Sequence, residues 1–282
     1  MFIYFFLFII LALILIKYLL FQMEKYYLFH PTKIKHYEST NFNEQVIIKQ
    51  QPLRFYEFFI KTLNPNPLNL LFLKNSNTKN LIIYAHGNAG NISDCLHLFQ
   101  KLHKFSSIIM FDYRGYGKSK GIPTESGLYE DIKSVWIFVV DYLKINPKYI
   151  SLYGESLGTA LVTWLGAFLC EKNQLPNSII FQSGFSNLKN LTQDHFNYFL
   201  SFCLTYQFDN CQHIKNISNR IPILISHSPE DKLINIKHVS IILKETKVTN
   251  IKFYQLSGPH HNPENLNNPN YIKIIRSFLY EN

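Results

Sequence analysis

The chain has 282 residues, 47% of them hydrophobic, and a formal net charge of +9; this length and composition suit one α/β domain with a sizeable core. The lysines are scattered, without a run of five or more, so we expect no nucleic-acid partner. None of the four cysteines has a metal-ligand spacing, and a disulfide framework is not expected in a chain of this size, although one bridge between Cys203 and Cys211 is left open.

The chain begins with a strongly apolar stretch. Residues 1–22 contain the run MFIYFFLFIILALILIKYLLF, in which Lys17 is the one charged side chain. As a helix this run would be about 30 Å long, enough to cross the hydrocarbon core of a bilayer. A cleaved signal peptide is the alternative interpretation, but it would have basic residues before the apolar run and small residues after it. We therefore predict a single-pass membrane anchor at 1–22, and the lysines that follow it indicate a cytosolic main domain by the positive-inside rule.

A juxtamembrane segment at 23–43 connects this anchor to the main domain, which we place at 44–282. Strands are predicted at 46–49, 54–61, 68–73, 81–85, 108–111, 150–153, 178–181, 223–226 and 251–255. Helices are predicted at 94–104, 125–143, 159–170, 237–244 and 271–279. Because several of the strands are continuous apolar runs that alternate with helices, they indicate a mostly parallel sheet covered on both faces.

One segment, 184–217, breaks this alternation. It contains the aromatic stretch HFNYFLSFCLTYQF at 195–208. A crossover helix that buries its aromatic face is one interpretation, and a small lid that lines an acyl pocket is the other. Both stay open, because a crossover helix must exist here in any case and a lid could be the extra length around it.

The sequence Gly154-Glu155-Ser156-Leu157-Gly158 separates the predicted strand at 150–153 from the predicted helix at 159–170. A serine in a sharp strand-to-helix turn is exposed and aimed at a substrate carbonyl, and glycines on both sides allow the strand and the helix to approach closely. The backbone N–H of Leu157 would lie at the helix N-terminus, where it can face a developing oxyanion. An ordinary glycine-rich turn is the alternative, since the pentapeptide alone is common.

Two more motifs precede this turn in the chain. YAHGNAGN at 84–91 follows a predicted strand, and its glycines would let the backbone N–H of Asn88 point at a substrate oxygen. A phosphate-binding loop is the alternative, but this stretch lacks the glycine patterns of such loops. His86 is expected to be structural. FDYRGYGKSKG at 111–121 follows the next strand, and we expect Asp112 and Arg114 to hold that loop together.

Together with YGESLGT at 153–159, these motifs resemble the α/β-hydrolase superfamily, and most closely its membrane-associated abhydrolase-domain branch. The resemblance covers roughly 45–280. It implies an α/β-hydrolase fold with a mostly parallel eight-stranded sheet, helices on both faces and a small lid. It also implies a catalytic acid after a late strand and a catalytic histidine after the last strand.

For the acid, the resemblance implies Asp231, which follows the predicted strand at 223–226. Glu230 is the alternative, and Ser228 stands where the family usually has glycine. A solvated loop charge is the non-catalytic interpretation of either carboxylate.

For the base, the loop after the last strand reads Gly258-Pro259-His260-His261-Asn262, where the family commonly has Gly-x-Gly-His-Asn. Aligning the first glycines puts His261 on the catalytic histidine and leaves His260 to line the pocket or to face solvent. We therefore predict that His261 bridges Ser156 and Asp231.

These predictions describe a membrane-anchored serine hydrolase that cleaves an acyl ester or thioester through an acyl-enzyme, without metal or cofactor. The N–H groups of Asn88 and Leu157 would form the oxyanion hole. The expected partners are the membrane lipid bilayer and an acylated lipid, an acylated protein or a small ester. A serine peptidase or lipid lipase on the same fold is an alternative, and so is a non-enzymatic membrane-bound scaffold; labelling by a fluorophosphonate separates the enzymes from the scaffold.

Overall fold

The computed structural model describes residues 2–33, 44–48, 51–62, 66–196, 198–217 and 219–280. Part of the predicted juxtamembrane segment, 34–43, and the last residue of the first predicted strand lie outside the described residues. The strands are β1 (His30–Pro31), β2 (Glu44–Ile48), β3 (Gln51–Ile60), β4 (Leu68–Leu73), β5 (Leu81–Ala85), β6 (Ala89–Gly90), β7 (Ser107–Phe111), β8 (Ile150–Glu155), β9 (Ser178–Gln182), β10 (Ile223–His227) and β11 (Ile251–Gln255). The α-helices are α1 (Phe2–Leu28), α2 (Leu96–Leu102), α3 (Glu125–Ile137), α4 (Gly158–Glu171), α5 (Leu188–His195), α6 (Asn210–Ile217), α7 (Lys237–Thr246) and α8 (Pro269–Tyr280).

Among the residues that the structure describes, the main sheet has nine strands in the order β11-β10-β9-β8-β5-β7-β4-β3-β2. Neighbouring strands from β7 to β11 pair in parallel, whereas β4, β3 and β2 pair antiparallel. The predicted α/β fold with a mostly parallel sheet is confirmed, but the predicted number of eight strands is wrong. The ninth strand arises because β3 is long enough to pair with β2 through its first half and with β4 through its second half.

Helices cover both faces of the sheet, because successive strand residues point to opposite sides. In β5, Ile83 belongs to the core shared with α3, α4, α6 and α7, whereas Ile82 and Tyr84 belong to the core shared with α2 and α8. Parallel strands end at the same edge of a sheet, so the loops after β5, β8, β10 and β11 lie close together there.

The N-terminal helix is longer than the predicted anchor. Helix α1 continues for 27 residues to Leu28, so the predicted boundary at 22–23 falls inside a continuous helix. Within the described residues, Tyr4–Leu28 has the length and composition to cross a membrane, criteria that an N-terminal signal sequence would also meet. The helix ends where the buried Phe29 packs into the domain core and Pro31 follows.

The segment 184–217 is not a single crossover helix. Helix α5 ends at His195, and the aromatic stretch that follows contains a short 3-10 helix at Leu200–Phe202 before α6 begins at Asn210. Helix α6 packs against α4 and acts as the helical crossover between β9 and β10. The aromatic stretch is therefore additional length between α5 and α6.

The close approach of strand β8 and helix α4 depends on their glycines. A Cβ atom at Gly158 would lie 2.0 Å from the backbone oxygen of Ala85, which cannot move without breaking the sheet. We expect Gly158→Ala to lower the free energy of unfolding by about 3 kcal/mol. Gly87→Ala is the matched control, because its Cβ would meet the nearest atom, Cβ of Ser156, at 3.6 Å. Urea unfolding of the solubilised protein measures both; equal losses would contradict the explanation.

Candidate active site

Ser156 lies in the turn between β8 and α4 with φ of +52°, in the left-handed region that non-glycine residues rarely adopt. Its backbone is held on both sides: its N–H donates to the carbonyl of Gln182 at 3.0 Å, and Thr159 Oγ1 donates to its carbonyl at 2.6 Å. This strained turn lifts the hydroxyl above the carboxyl ends of the strands, as the sequence predicted for a strand-turn-helix serine.

A chain of hydrogen bonds connects Ser156 to two other loops at this edge of the sheet. Ser156 Oγ lies 3.0 Å from Nε2 of His260, and Nδ1 of His260 lies 2.6 Å from Oδ2 of Asp231. Because an ionised carboxylate only accepts, Nδ1 carries the proton and donates it to Asp231, which leaves Nε2 free to accept from the serine hydroxyl.

The prediction that His261 bridges Ser156 and Asp231 is wrong, because His260 occupies that place. Nδ1 of His261 instead lies 2.8 Å from Oε1 of Glu155, and its side chain is 59% exposed. Two imidazoles on adjacent residues of this turn point in different directions, so only one of them reaches the serine. The carboxylate of Glu155, which directly precedes Ser156, binds the other imidazole.

Asp231 is buried and held by backbone donors. Its Oδ1 accepts from the N–H groups of Leu233 at 2.9 Å and Ile234 at 2.8 Å. Burial by itself would raise the pKa of Asp231, but the hydrogen bond and the charge of His260, with the N–H of Ile234, lower this pKa overall. The carboxylate therefore stays ionised beside the imidazole. Glu230, the alternative acid, is exposed, and its backbone N–H donates to Ser228 Oγ at 3.1 Å.

Ser228 connects the acid loop to the histidine loop. Its Oγ donates to the carbonyl of Gly258 at 2.6 Å, and Gly258 adopts φ of +77° at the start of the turn that carries His260. The amide of Asn262 then closes the turn by donating to the carbonyl of Ser257 at 2.9 Å. The serine that departs from the family pattern thus has a structural partner that a glycine could not provide.

Asn88 and Leu157, the predicted oxyanion-hole residues, both line the same cavity as Ser156. The carbonyl of Asn88 accepts from Tyr116 Oη at 2.8 Å and from the backbone N–H of His30 at 3.0 Å, which fixes the loop after β5. Their use as N–H donors to an oxyanion stays a prediction.

The other polar residues of the sequence motifs hold loops. His86 is buried and stacks on Tyr113 with ring centroids 4.0 Å apart, and burial lowers its pKa to about 4. Asp112 accepts from the N–H of Ile92 at 2.9 Å, and burial raises its pKa to about 7. Arg114 pairs with Asp131 at 2.7 Å. These contacts agree with the structural roles expected for all three motif residues.

A cavity of about 530 Å³ opens directly above Ser156. Most of its lining is apolar and comes from three parts of the chain. The side chains are Leu20, Met23, Glu24, Tyr27 and Leu28 of α1; Phe185, Leu188, Leu191, Thr192, His195, Phe196, Leu200, Cys203 and Leu204 of the segment 184–217; and Leu233 and Ile234 of the acid loop. The aromatic segment therefore contributes to a pocket, as the lid interpretation expected, and α1 contributes a wall that the sequence did not indicate.

No group of three metal-ligating side chains occurs among the residues that the structure describes. All four cysteines are free thiols, so Cys203 and Cys211 do not form the bridge that the sequence left open.

The contact between His261 and Glu155 gives stability a pH dependence. The hydrogen bond and charge of Glu155 raise the pKa of His261, so the folded protein holds this proton more tightly than the unfolded chain. The stabilisation is complete below about pH 6.5 and is lost as the pH rises through the higher folded-state pKa. We therefore expect the difference in Tm between the wild type and His261→Ala to be larger at about pH 6 than at about pH 9. Thermal unfolding at both pH values measures it, and a difference that grows towards alkaline pH would contradict the assignment.

Comparison with protein families and curated proteins gives a consistent result. A family model described as "alpha/beta hydrolase fold" matches residues 80–197. An uncharacterized protein, R595, of Acanthamoeba polyphaga mimivirus is 28% identical over 262 residues, which is 86% of this chain and 88% of that protein. The lysophosphatidylserine lipase ABHD12 of Xenopus tropicalis is 33% identical over 226 residues, which is 71% of this chain. The chain spans 57% of the length of that ABHD12 protein.

Solved structures share the fold at low sequence identity. An alpha-beta hydrolase from Vibrio vulnificus superimposes with a TM-score of 0.70 at 18% identity, covering 79% of this chain and 80% of that one. The Pyrococcus furiosus esterase Pf2001 superimposes with a TM-score of 0.71 at 15% identity, covering 90% of this chain and 97% of that one.

Proposed function

The chain belongs to the abhydrolase-domain branch of the α/β-hydrolase superfamily, and from that premise we propose that it is a serine hydrolase that cleaves acyl esters of lipids. The observation that carries this proposal is the hydrogen-bonded chain from Ser156 through His260 to Asp231 at the floor of an apolar cavity. Fold alone does not determine chemistry, so the proposal rests on this site.

The geometry supports acyl transfer in two steps. Nε2 of His260 accepts the proton of Ser156 as the serine oxygen attacks the ester carbonyl, and Asp231 stabilises the imidazolium that forms. The N–H groups of Asn88 and Leu157 donate hydrogen bonds to the negatively charged oxygen of the tetrahedral intermediate. The alcohol leaves with the proton from His260, and water then releases the acid from Ser156 by the same route.

The cavity supports an acyl substrate rather than a peptide. Its lining is mostly apolar and aromatic, and Glu24 is the one carboxylate side chain among the described residues that line it. Both oxygens of that carboxylate already accept backbone N–H groups of the protein. A single hydrocarbon chain fits such a volume, and the polar part of the ester would remain at Ser156.

The curated relatives narrow the substrate class further. The proteins of the ABHD12 group carry the name lysophosphatidylserine lipase, and by analogy we propose a lysophospholipid or another single-chain ester lipid here. Helix α1 would cross the bilayer once and hold the enzyme beside this substrate, with the main domain in the cytosol.

The test uses the full chain solubilised in detergent and reconstituted in vesicles. We expect covalent labelling by a fluorophosphonate and hydrolysis of lysophosphatidylserine and long-chain p-nitrophenyl esters, but not of peptide substrates. Labelling without hydrolysis of lipids or esters would contradict the lipid substrate and favour a serine peptidase. Absence of labelling would favour the non-enzymatic scaffold and contradict the proposal.

A further inference from the structure

We propose that the last two and a half turns of α1, residues 20–28, are a functional wall of the substrate cavity, so that the membrane helix itself selects for long acyl chains of ester lipids. This inference rests on the function proposed above and adds a specificity element to it. In this view α1 is not a flexible tether, and the cavity is incomplete without it.

The first observation is the position of α1 at the cavity. Leu20, Met23 and Tyr27 are spaced by three and four residues, lie on one face of the helix, and line the cavity above Ser156. Leu19, on another face of the same helix, is 52% exposed and is not among the described residues that line the cavity. The helix therefore presents one apolar stripe to the substrate and another to its surroundings.

The second observation is the way in which α1 is fixed. The carboxylate of Glu24 accepts from the backbone N–H groups of Thr205 and Tyr206, each at 2.8 Å. The next two N–H groups, of Gln207 and Phe208, donate to Glu125 of α3 at 2.7 and 2.6 Å. Four consecutive backbone donors are thus bound by two carboxylates, and hydrogen bonds to charged acceptors are the stronger kind.

Aromatic contacts hold α1 on either side of the Glu24 clamp, that is, the carboxylate of Glu24 with the N–H groups of Thr205 and Tyr206. The ring of Tyr206 packs against Phe21 and Phe29, with centroids 5.6 Å away in both cases. Tyr27 packs against Phe196 at 5.4 Å, which joins α1 to the aromatic segment that forms the opposite wall. These contacts place α1 directly against the aromatic segment.

The third observation concerns the surface around the cavity. Tyr198, Phe199 and Phe202 belong to the aromatic segment that lines the cavity and are more than half exposed. Like the exposed apolar residues on the outer face of α1, these side chains are of the kind that enters the headgroup region of a bilayer. In this proposal an acyl chain passes from the membrane along α1 to Ser156, and a membrane lipid is the occupant.

The experiment compares Leu20→Trp with Leu19→Trp as the matched control. In detergent micelles, we expect Leu20→Trp to lower kcat/KM for p-nitrophenyl palmitate by about tenfold or more, because the indole fills the long-chain part of the cavity. Hydrolysis of p-nitrophenyl acetate and the rate of fluorophosphonate labelling should change less than about twofold, because Ser156 is untouched. Leu19→Trp should leave all three readouts unchanged.

A second variant tests the clamp without filling the cavity. Glu24→Ala should reduce the preference for palmitate over acetate while the protein remains resistant to alkaline carbonate extraction, and Glu24→Gln, which can still accept, should retain part of that preference. Normal labelling with an unchanged palmitate preference in both Leu20→Trp and Glu24→Ala would overturn the role of α1 but not the serine hydrolase. A wild-type protein that is not labelled at all would overturn both.

Discussion

Ser156→Ala should abolish ester hydrolysis and covalent labelling together. The loss in kcat should be about 10⁴-fold or more, because the variant lacks the hydroxyl that we propose forms the acyl-enzyme. The hydroxyl lies at the cavity floor and is hydrogen-bonded to His260. Because it faces the cavity, its removal should leave the fold intact. Hydrolysis of p-nitrophenyl esters measures the first effect, and in-gel fluorescence of a fluorophosphonate probe measures the second.

Thermal unfolding of the same variant is the control, because it separates loss of chemistry from loss of structure. An alanine variant with a wild-type Tm that still accumulates an acyl-enzyme would remove Ser156 from the mechanism. The serine hydrolase proposal would then fail.

His260→Ala should lower kcat by about 10⁴-fold, because it removes the group that we propose takes the proton from Ser156 and leaves the carboxylate of Asp231 without its imidazole partner. His261→Ala should lower kcat far less, because that imidazole contacts Glu155 and is largely exposed. The two variants differ by one position in one loop and make a closely matched pair. Kinetics at a pH near 7, with labelling as a second readout, compares them.

A larger loss of kcat in His261→Ala than in His260→Ala would restore His261 as the catalytic histidine, as the sequence analysis predicted. Equal and large losses in both variants would mean that the loop has collapsed, which the Tm of each variant reports. A small loss of kcat in both variants would mean that neither histidine takes part in the mechanism.

The sequence predicted the strands around the site well, and the reason is physical. Strands such as β5 and β8 are fully buried apolar runs bounded by turns, so their position follows from local composition. Ser156 followed from the glycines on either side, because only this arrangement lets β8 and α4 approach so closely. These features depend on neighbours in sequence.

The histidine was assigned wrongly because its choice depends on a residue far away in the chain. The resemblance to the α/β-hydrolases placed both imidazoles in the correct loop, but the partner of His261 is Glu155, 106 residues earlier. Glu155 itself was a usable signal, because a buried carboxylate needs a partner. Two carboxylates, Asp231 and Glu155, were available for the two adjacent histidines. It did not indicate which histidine takes which carboxylate, because that follows from the turn at Gly258.

The wall formed by α1 could not be predicted for a similar reason. An apolar run of this length predicts a membrane span from composition alone, and composition carries no information about docking. Glu24 was an apparently ordinary charge at the end of the run. Its role became visible only with its backbone partners in the segment 205–206.

The contact between Glu24 and Thr205 also determines when the cavity can form during synthesis. The two residues are 181 positions apart, and α1 is made first. At ordinary translation speeds, about 10 to 40 s separate the emergence of the helix from that of its clamp. Throughout this interval the ribosome-bound chain has an undocked α1, so the pocket is among the last parts of the molecule to be assembled, and a nascent chain arrested before this segment would have no closed pocket in which to hold an acyl chain.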